Sequence, residues 1–353
     1  MAPSVAVKPS LKRMVMRIAV AVAAFVAFMV LMGVVFEQAG RYRAVREFPP
    51  PGKMVDVGGG RRLQLDCRGT GSPTVVFEAG LSLDGSLGWA PVQPQVAAHT
   101  RACAYSRAGV MWSDPSTAPY SAKQVAQDLH AALAAAGEHG PFVLVGQSMG
   151  GLYAMNFTKQ FGAEVAGLVL VDPSHPDQVA RVAAFMTETR SLASRIGVAL
   201  AWSGLLRAAV WARMSRAPNQ TAHDAQAVRA FAPLSMRTQL AENDAMDAPG
   251  GTLAETRDFT SLGNRPLVVL TAMAPYTAAE LRGMQITPEQ GQKVQAIWAQ
   301  LHAEMATWSS RSKHVLVPDA GHDIQFDNPR AVIDAVLSVV ETVRADAAGA
   351  APH

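Results

Sequence analysis

Gly146-Gln147-Ser148-Met149-Gly150 is the stretch of this sequence that decides its fold. A short apolar run, Phe142-Val143-Leu144-Val145, precedes it, and a helical pattern begins at Gly151. A strand, the pattern G-x-S-x-G and a helix, in this order, predict a sharp turn with the serine at its tip. Small residues belong beside that serine because strand and helix nearly touch there. The helix N-terminus would offer backbone N–H groups to a developing oxyanion, so Ser148 is predicted to be a nucleophile.

Short apolar runs bounded by Gly or Pro predict eight strands. The runs are 54–57, 62–67, 74–78, 102–105, 142–145, 165–171, 266–271 and 314–317. The first two, separated by Gly58-Gly59-Gly60, form a predicted hairpin. The later runs are apolar throughout, which is typical of strands covered on both faces. Helical patterns separate the runs, for example 121–136 with a capping box at Ser121 and Gln124. This alternation predicts an α/β fold with a mostly parallel sheet and helices on both faces.

The N-terminal region predicts a membrane anchor. Ile18 to Phe36 is a run of 19 residues without a charge, and Lys8, Lys12, Arg13 and Arg17 precede it. At 1.5 Å per residue the run spans roughly 28 Å, close to a bilayer core. The preceding basic residues favour a cytoplasmic N-terminus. We therefore expect a single-pass protein of the inner (cytoplasmic) membrane with its body on the periplasmic or extracytoplasmic side. Secretion after cleavage of a signal peptide is the alternative.

The charge distribution excludes a basic nucleic-acid-binding body. The chain has a net charge of +3, but its first 46 residues carry seven Lys or Arg and one Glu, so the remainder is acidic. We expect no nucleic-acid partner. The histidines are scattered, and no phosphate-binding or dinucleotide motif is present, so we expect no metal and no cofactor.

The domain organisation follows from these patterns. We expect a tail and anchor at 1–46, a Pro-rich linker at 47–53, a core at 54–175 and 265–346, and a helical cap or lid at 176–264, after the sixth strand.

Taken together, elbow, strand count and insertion resemble the α/β-hydrolase fold, in its bacterial, membrane-anchored, ester-hydrolysing branch. The resemblance covers about residues 54–345. Besides the elbow, the motifs that carry it are Glu78-Ala79-Gly80-Leu81, Tyr105-Ser106-Arg107-Ala108-Gly109, Leu168-Val169-Leu170-Val171-Asp172-Pro173 and Gly321-His322-Asp323. It implies a serine hydrolase, but no motif identifies a substrate.

The resemblance assigns the remaining catalytic roles. His322, in the loop after the last strand, is the expected general base for Ser148. The family usually has its acid after the seventh strand, where this chain has no carboxylate until Glu280. Asp172, at the end of the sixth strand, is the predicted replacement, with Glu280 as the alternative. The predicted oxyanion hole consists of the N–H groups of Met149 and Leu81.

The same resemblance places Cys67 and Cys103 on neighbouring strands. In an exported domain they could form a disulfide, whereas in a reducing cytosol they would be two unrelated apolar residues. Ser106 stands where the family has Asp, a position that is usually structural. Trp89 and Trp112 are expected to pack rather than to line the site.

The stretch 196–212 is apolar apart from Ser203 and Arg207. We interpret it as a lid helix. The alternative is a surface that lies on the membrane, with Arg190, Arg195, Arg207, Arg213 and Arg216 facing lipid phosphates. Both interpretations favour a hydrophobic acyl or aryl ester as substrate.

The predicted reaction is hydrolysis of such small-molecule esters through an acyl-enzyme on Ser148. The same residues would also serve an aminopeptidase, a lactonase or a perhydrolase. The missing acid after the seventh strand keeps a catalytically silent binding protein open as a third class.

Overall fold

The computed structural model of this protein describes residues 11–185 and 192–349, which are built around one eight-stranded sheet. The strands are β1 (Lys53–Asp56), β2 (Arg62–Arg68), β3 (Thr74–Glu78), β4 (Ala102–Ser106), β5 (Phe142–Gln147), β6 (Val165–Val171), β7 (Leu267–Ala272) and β8 (Ser312–Val317). Their order in the sheet is β1-β2-β4-β3-β5-β6-β7-β8. The strands β1, β2 and β4 pair antiparallel, and all pairs from β4 through β3 to β8 are parallel. The predicted hairpin and the mostly parallel sheet are confirmed.

Helices cover both faces of the sheet. They are α1 (Leu11–Glu47), α2 (Gln93–Ala97), α3 (Ala122–Ala135), α4 (Met149–Phe161), α5 (Gln178–Val182), α6 (Leu192–Ala199), α7 (Leu205–Arg213), α8 (Ala222–Met246), α9 (Thr252–Thr256), α10 (Ala278–Met284), α11 (Pro288–Ala306), α12 (Ile324–Asp327) and α13 (Pro329–Gly349). Apolar residues of α3, α4 and α11 pack on one face, and those of α2, α12 and α13 on the other. The strands β3, β4 and β5 are buried along their whole length, which explains why their sequences do not alternate between apolar and polar residues.

The start of α3 follows the predicted cap only in part. The Ser121 hydroxyl accepts from the Gln124 N–H at 3.1 Å. The Gln124 side chain does not return to Ser121 but donates to Asp128. That carboxylate also accepts two hydrogen bonds from Arg61, so Gln124 joins a charged cluster instead of completing a capping box.

Between β6 and β7 the described residues form five helices, α5 to α9, and we call them the cap. The expectation of one helix over 196–212 is wrong. Helix α6 ends at Ala199, a 3₁₀ turn occupies Ala201–Ser203, and α7 begins at Leu205. Gly204 adopts φ +75° between the turn and α7. That left-handed conformation suits glycine and interrupts the helix.

The helix α1 extends beyond its apolar run and packs against the body. Ala44, near the end of α1, is buried. Phe48, which directly follows the helix, packs in the same hydrophobic cluster as residues of α8. Glu37 is fully buried and accepts from Arg207 of α7 at 2.8 and 3.2 Å. The last turns of α1 are therefore part of the folded body.

This contact rules out part of the alternative interpretation of the cap, in which five arginines face lipid phosphates. Arg207 does not face lipid phosphates, because its guanidinium is buried against Glu37 and also donates to the Ala230 carbonyl. Arg195 is paired with Asp244 at 2.5 Å. Arg213 and Arg216 are exposed, and Arg190 lies outside the described residues.

Candidate active site

Ser148 lies in the sharp turn between β5 and α4. Its backbone has φ 52° and ψ −124°, a strained combination for a residue with a side chain. The turn is tight, because a Cβ on Gly146 would lie 2.5 Å from the Gly150 carbonyl oxygen. The Ser148 N–H donates to the Val171 carbonyl at 3.1 Å, which fixes the turn against β6. The serine is thus held at the carboxyl edge of the sheet.

His322 approaches Ser148 from the loop that follows β8. Its Nε2 lies 2.9 Å from the Ser148 Oγ. The loop is fixed by the Gly321 N–H, which donates to the Asp327 carboxylate at 2.8 Å. The structure therefore brings an imidazole nitrogen to the hydroxyl whose proton it would have to accept.

Asp172 holds the other side of the imidazole. Its Oδ2 lies 2.6 Å from the His322 Nδ1. Its Oδ1 accepts from the Ala272 N–H at 2.9 Å, so the end of β7 orients the carboxylate without supplying one of its own. Asp172 has φ 41°, the second strained backbone in this cluster.

Glu280 is engaged elsewhere. Its carboxylate accepts from the N–H and the hydroxyl of Thr277, both at 2.6 Å, and it thereby caps α10. It lines the cavity but makes no hydrogen bond to His322 among those of the described residues. Of the two candidate acids, the structure brings Asp172 and not Glu280 to the imidazole.

The environment of His322 favours its charged form. Desolvation by the surrounding protein acts to lower its pKa, but the hydrogen bond and the negative charge of Asp172 outweigh it, so the pKa is raised above the ordinary value of 6.5. A raised pKa makes the imidazole a better proton acceptor during attack by serine.

The two predicted oxyanion donors lie beside the nucleophile. Leu81, Ser148 and Met149 line one cavity. Met149 is the first residue of α4, so its N–H has no acceptor one turn earlier. Gly80 lets the Leu81 loop come close, because a Cβ there would lie 2.2 Å from the Gln147 Oε1. Both residues therefore border the cavity at Ser148, and their role as oxyanion donors stays a prediction.

A buried ionic cluster beneath this loop was missed by the sequence analysis. Arg107 donates to the carbonyls of Ala79 and Gly80 at 2.6 and 2.7 Å. It also donates to Glu78 at 2.9 Å and, through two nitrogens, to Glu242 of the cap at 2.8 and 2.9 Å. Burial raises the pKa of Glu78 to about 7. Arg107 lies in a motif that the sequence showed, but no pattern marks Glu242 as its partner.

Two histidines behind the acid, the buried His302 and the half-buried His314, were also missed. The His302 Nδ1 lies 3.8 Å from the Asp172 Oδ1 and 2.8 Å from the Thr271 hydroxyl. Its Nε2 lies 2.8 Å from the Pro173 carbonyl, and the His314 Nε2 is 2.8 Å from the same hydroxyl. Burial lowers the pKa of both histidines. Because a lowered pKa favours the neutral form of His302, His302 adds no positive charge beside Asp172. The Asp172 carboxylate can then stabilise a positive charge on His322.

The cavity in front of Ser148 has a volume of about 1180 Å³. Its apolar lining includes Leu81, Met149, Pro173, Met246, Ala272, Pro275, Tyr276, Met284 and Trp298. Three carboxylates besides Asp172 also reach it, those of Glu280, Asp319 and Asp327. The cavity thus combines a broad apolar wall with a few acidic groups.

The remaining sequence expectations concern residues around this cavity. Trp112 packs on Phe231 and donates to the Phe48 carbonyl. Trp89 packs on Phe77 but also borders a smaller cavity of about 160 Å³ beside Ser148, so it does both. The Ser106 hydroxyl donates to Gln64 at 2.8 Å and is buried, a structural role.

The structure joins Cys67 and Cys103 in a disulfide between directly paired residues of β2 and β4. The two sulfurs and the Glu138 carboxylate lie as close together as the ligands of a metal ion would. Disulfide sulfurs are not thiolates, so these residues do not fit a metal ion.

The known proteins that this chain resembles have the same fold. A model of the Alpha/beta hydrolase family matches residues 75–335, which is more than half of the chain. An uncharacterized protein of Schizosaccharomyces pombe, C23C11.06c, is 41% identical over 81 residues, and Bacillus subtilis YqjL, also uncharacterized, is 29% identical over 110. These matches cover 23% and 31% of this chain, but only 15% and 43% of the two relatives.

Solved structures share the fold at low identity. A thermophilic esterase from Thermogutta terrifontis has a TM-score of 0.53 and 19% identity, covering 83% of this chain and 98% of its own. The epoxide hydrolase CorEH has a TM-score of 0.58 and 16% identity, covering 82% and 98%. Est816, an N-acyl homoserine lactone degrading enzyme, has a TM-score of 0.54 and 17% identity, covering 81% and 99%.

Proposed function

Because this chain belongs to the Alpha/beta hydrolase family, we propose that it is a hydrolase that cleaves carboxylic esters through an acyl-enzyme on Ser148. The observation that carries the proposal is the chain of contacts from Ser148 Oγ to His322 Nε2, 2.9 Å, and from His322 Nδ1 to Asp172 Oδ2, 2.6 Å. Nucleophile, base and orienting acid are thus within hydrogen-bonding distance in the order that serine catalysis needs.

The reaction follows from this order. The Ser148 Oγ attacks the ester carbonyl carbon while His322 takes the hydroxyl proton, and Asp172 stabilises the resulting imidazolium. The N–H groups of Met149 and Leu81 would stabilise the negative charge on the carbonyl oxygen. His322 then returns the proton to the leaving alkoxide as the carbon–oxygen bond breaks. A water molecule, deprotonated by His322, then attacks the acyl carbon, and His322 returns that proton to the Ser148 oxygen as the acid is released.

The cavity supports an apolar substrate. Its broad wall of methionine and aromatic side chains, including Met246, Met284 and Trp298, suits a hydrophobic acyl or aryl group. One observation favours a second function. The Glu280, Asp319 and Asp327 carboxylates would bind the ammonium group of an aminoacyl amide, the substrate of an aminopeptidase. Lactone opening and perhydrolysis would use Ser148, His322 and Asp172, as ester hydrolysis does.

The helix α1 supports a location at a membrane. It is long and apolar enough to cross a bilayer, and a signal sequence has the same properties. We infer that residues 18–36 span the membrane once and that the body lies on the periplasmic or extracytoplasmic side. Secretion after signal cleavage is the alternative.

The experiment that tests the catalytic proposal is labelling of the full chain in detergent with a fluorophosphonate probe. We expect the wild type to be labelled and Ser148→Ala not to be. Ser174→Ala is the matched control, because Ser174 lines the same cavity and should keep the label. Absence of labelling in folded wild-type protein would exclude an activated Ser148 and favour a binding protein. Ester, lactone and aminoacyl-amide substrates then separate the enzymatic classes.

A further inference from the structure

The cap has an apolar outer face that contacts the anchor helix. Six large apolar side chains are exposed on it: Leu192, Ile196, Leu200, Trp202, Leu205 and Trp211. Trp202 is 48% exposed and Leu205 is 64% exposed. So many exposed apolar residues within one short stretch form a patch that a surface facing water rarely carries.

The depth of this face along α1 can be read from two close contacts. A Cβ on Gly33 would lie 2.1 Å from the Ser203 carbonyl oxygen. A Cβ on Gly204 would lie 2.9 Å from the Phe36 ring. Backbones touch here because both sides have glycine, as in helix contacts within membranes. Gly33 and Phe36 belong to the last turn of the uncharged run, so the turn before α7 lies at the level where α1 leaves the hydrocarbon core.

The charges of the face are neutralised. From residue 192 to 211 the charged residues are Arg195 and Arg207. Arg207 is buried against Glu37, and Arg195 pairs with Asp244. The face therefore presents Trp and Leu side chains with no unpaired charge, which is the composition of surfaces that insert into the boundary between headgroups and acyl chains.

An apolar groove of about 550 Å³ lies beside this face. Leu200, Leu205 and Met214 line it. Met214 directly precedes Ser215, which lines the catalytic cavity. The lining of the groove and the lining of the catalytic cavity are therefore adjacent along the chain at this point.

We propose that the outer face of the cap inserts into the same bilayer leaflet that receives the end of α1, with the acyl chains of that leaflet as its occupant. The proposal rests on the proposed membrane span of α1 and extends the proposed function, because ester substrates would then reach Ser148 from the bilayer. The exposed Arg213 and Arg216, just beyond the apolar stretch, would lie at the level of anionic headgroups.

Tryptophan fluorescence tests the proposal without added labels. All six tryptophans lie beyond α1, at 89, 112, 202, 211, 298 and 308. The anchor therefore contributes no tryptophan signal. The full chain is reconstituted into vesicles whose phospholipids carry bromine near the headgroup end of the acyl chains. Bromine quenches tryptophans in contact with lipid. Vesicles of the same unbrominated lipid give the reference.

We expect the wild type to be quenched and the double variant Trp202→Phe, Trp211→Phe to lose most of the quenching. Trp308→Phe is the control and should keep it, because Trp308 packs on Phe259 in the core. Vesicle-bound protein without quenching, or with equal quenching in the double variant, overturns the inserted cap but leaves the anchor standing. A second copy covering the face would give that unquenched result. Protein that does not float with vesicles overturns the anchor and the inserted cap together, while probe labelling tests catalysis separately.

Discussion

Replacing Asp172 by asparagine tests the proposed site most directly, because the structure dictates how the new amide must lie. The Asp172 Oδ1 accepts from the Ala272 N–H at 2.9 Å. If the amide oxygen keeps this bond, the NH₂ group must face the His322 Nδ1. That nitrogen then has to act as acceptor, and the proton moves to Nε2, which faces Ser148. The imidazole in this tautomer cannot take the serine proton.

The magnitude has two parts. Loss of a charged hydrogen bond to His322 costs about 1.5–3 kcal/mol, which corresponds to a rate loss of roughly ten- to 150-fold. The wrong tautomer raises the total to about 10³–10⁴-fold, or roughly 4–5.5 kcal/mol. Asp172 is only 14% exposed, so water has little access to replace the carboxylate. We expect kcat to fall by this factor with little change in KM.

The assay is hydrolysis of a chromogenic ester by the full chain, with the rate divided by the amount of correctly folded enzyme. Thermal unfolding of each variant confirms that the fold is retained. Glu280→Gln is the matched control, and we expect its turnover of an uncharged ester to stay within about twofold of wild type because Glu280 caps α10 and is not hydrogen-bonded to His322. Near-normal turnover of Asp172→Asn together with a large loss in Glu280→Gln would refute the assignment of the acid.

Three further outcomes are expected. Because kcat/KM needs neutral His322 and its pKa is raised, activity should fall as pH decreases through a midpoint above 6.5, measured as a pH–rate profile, and a midpoint below 6.5 contradicts the stabilised imidazolium. Replacing Cys67 and Cys103 by alanine should destabilise the fold by about 3–4 kcal/mol in denaturant titrations, since the closed loop has a separation of 36 residues, whereas unchanged stability would mean that the bridge is not formed. Glu242→Gln should lower Tm by roughly 10 °C and reduce kcat, because Arg107, which also holds the carbonyls of Ala79 and Gly80, would lose its bidentate partner. An unaltered Tm would show that the pair of Arg107 and Glu242 contributes nothing to stability.

The sheet and the two central site residues could be predicted because their signals are local. Ser148 directly follows a buried strand, and His322 lies in the loop after the last strand. To predict Asp172, the acid had to be placed after the sixth strand instead of the usual seventh, and the sequence alone left Glu280 as an alternative. The reason for the departure is visible only in three dimensions, where β7 supplies a backbone N–H to orient a carboxylate from β6.

The charged contacts that fix the cap could not be predicted. Arg107 and Glu242 are 135 residues apart, and Glu37 and Arg207 are 170 residues apart. Periodicity and capping patterns describe neighbours along the chain and contain no information on pairing over such distances. The break before α7 was missed for a related reason, since Gly204 is tolerated within an apolar helical pattern until the contact with α1 fixes its φ.

If residues 18–36 span the membrane as proposed, the contact between α1 and the cap makes this segment difficult to exchange for another. A generic anchor of equal length would lack the glycine at 33 and, one helical turn later, the acid at 37. A protease that cut between anchor and body would release a body in which Arg207 remains buried without Glu37, and an unpaired buried charge costs several kcal/mol. Under the proposed membrane location, a cut that releases the body would therefore also destabilise the cap.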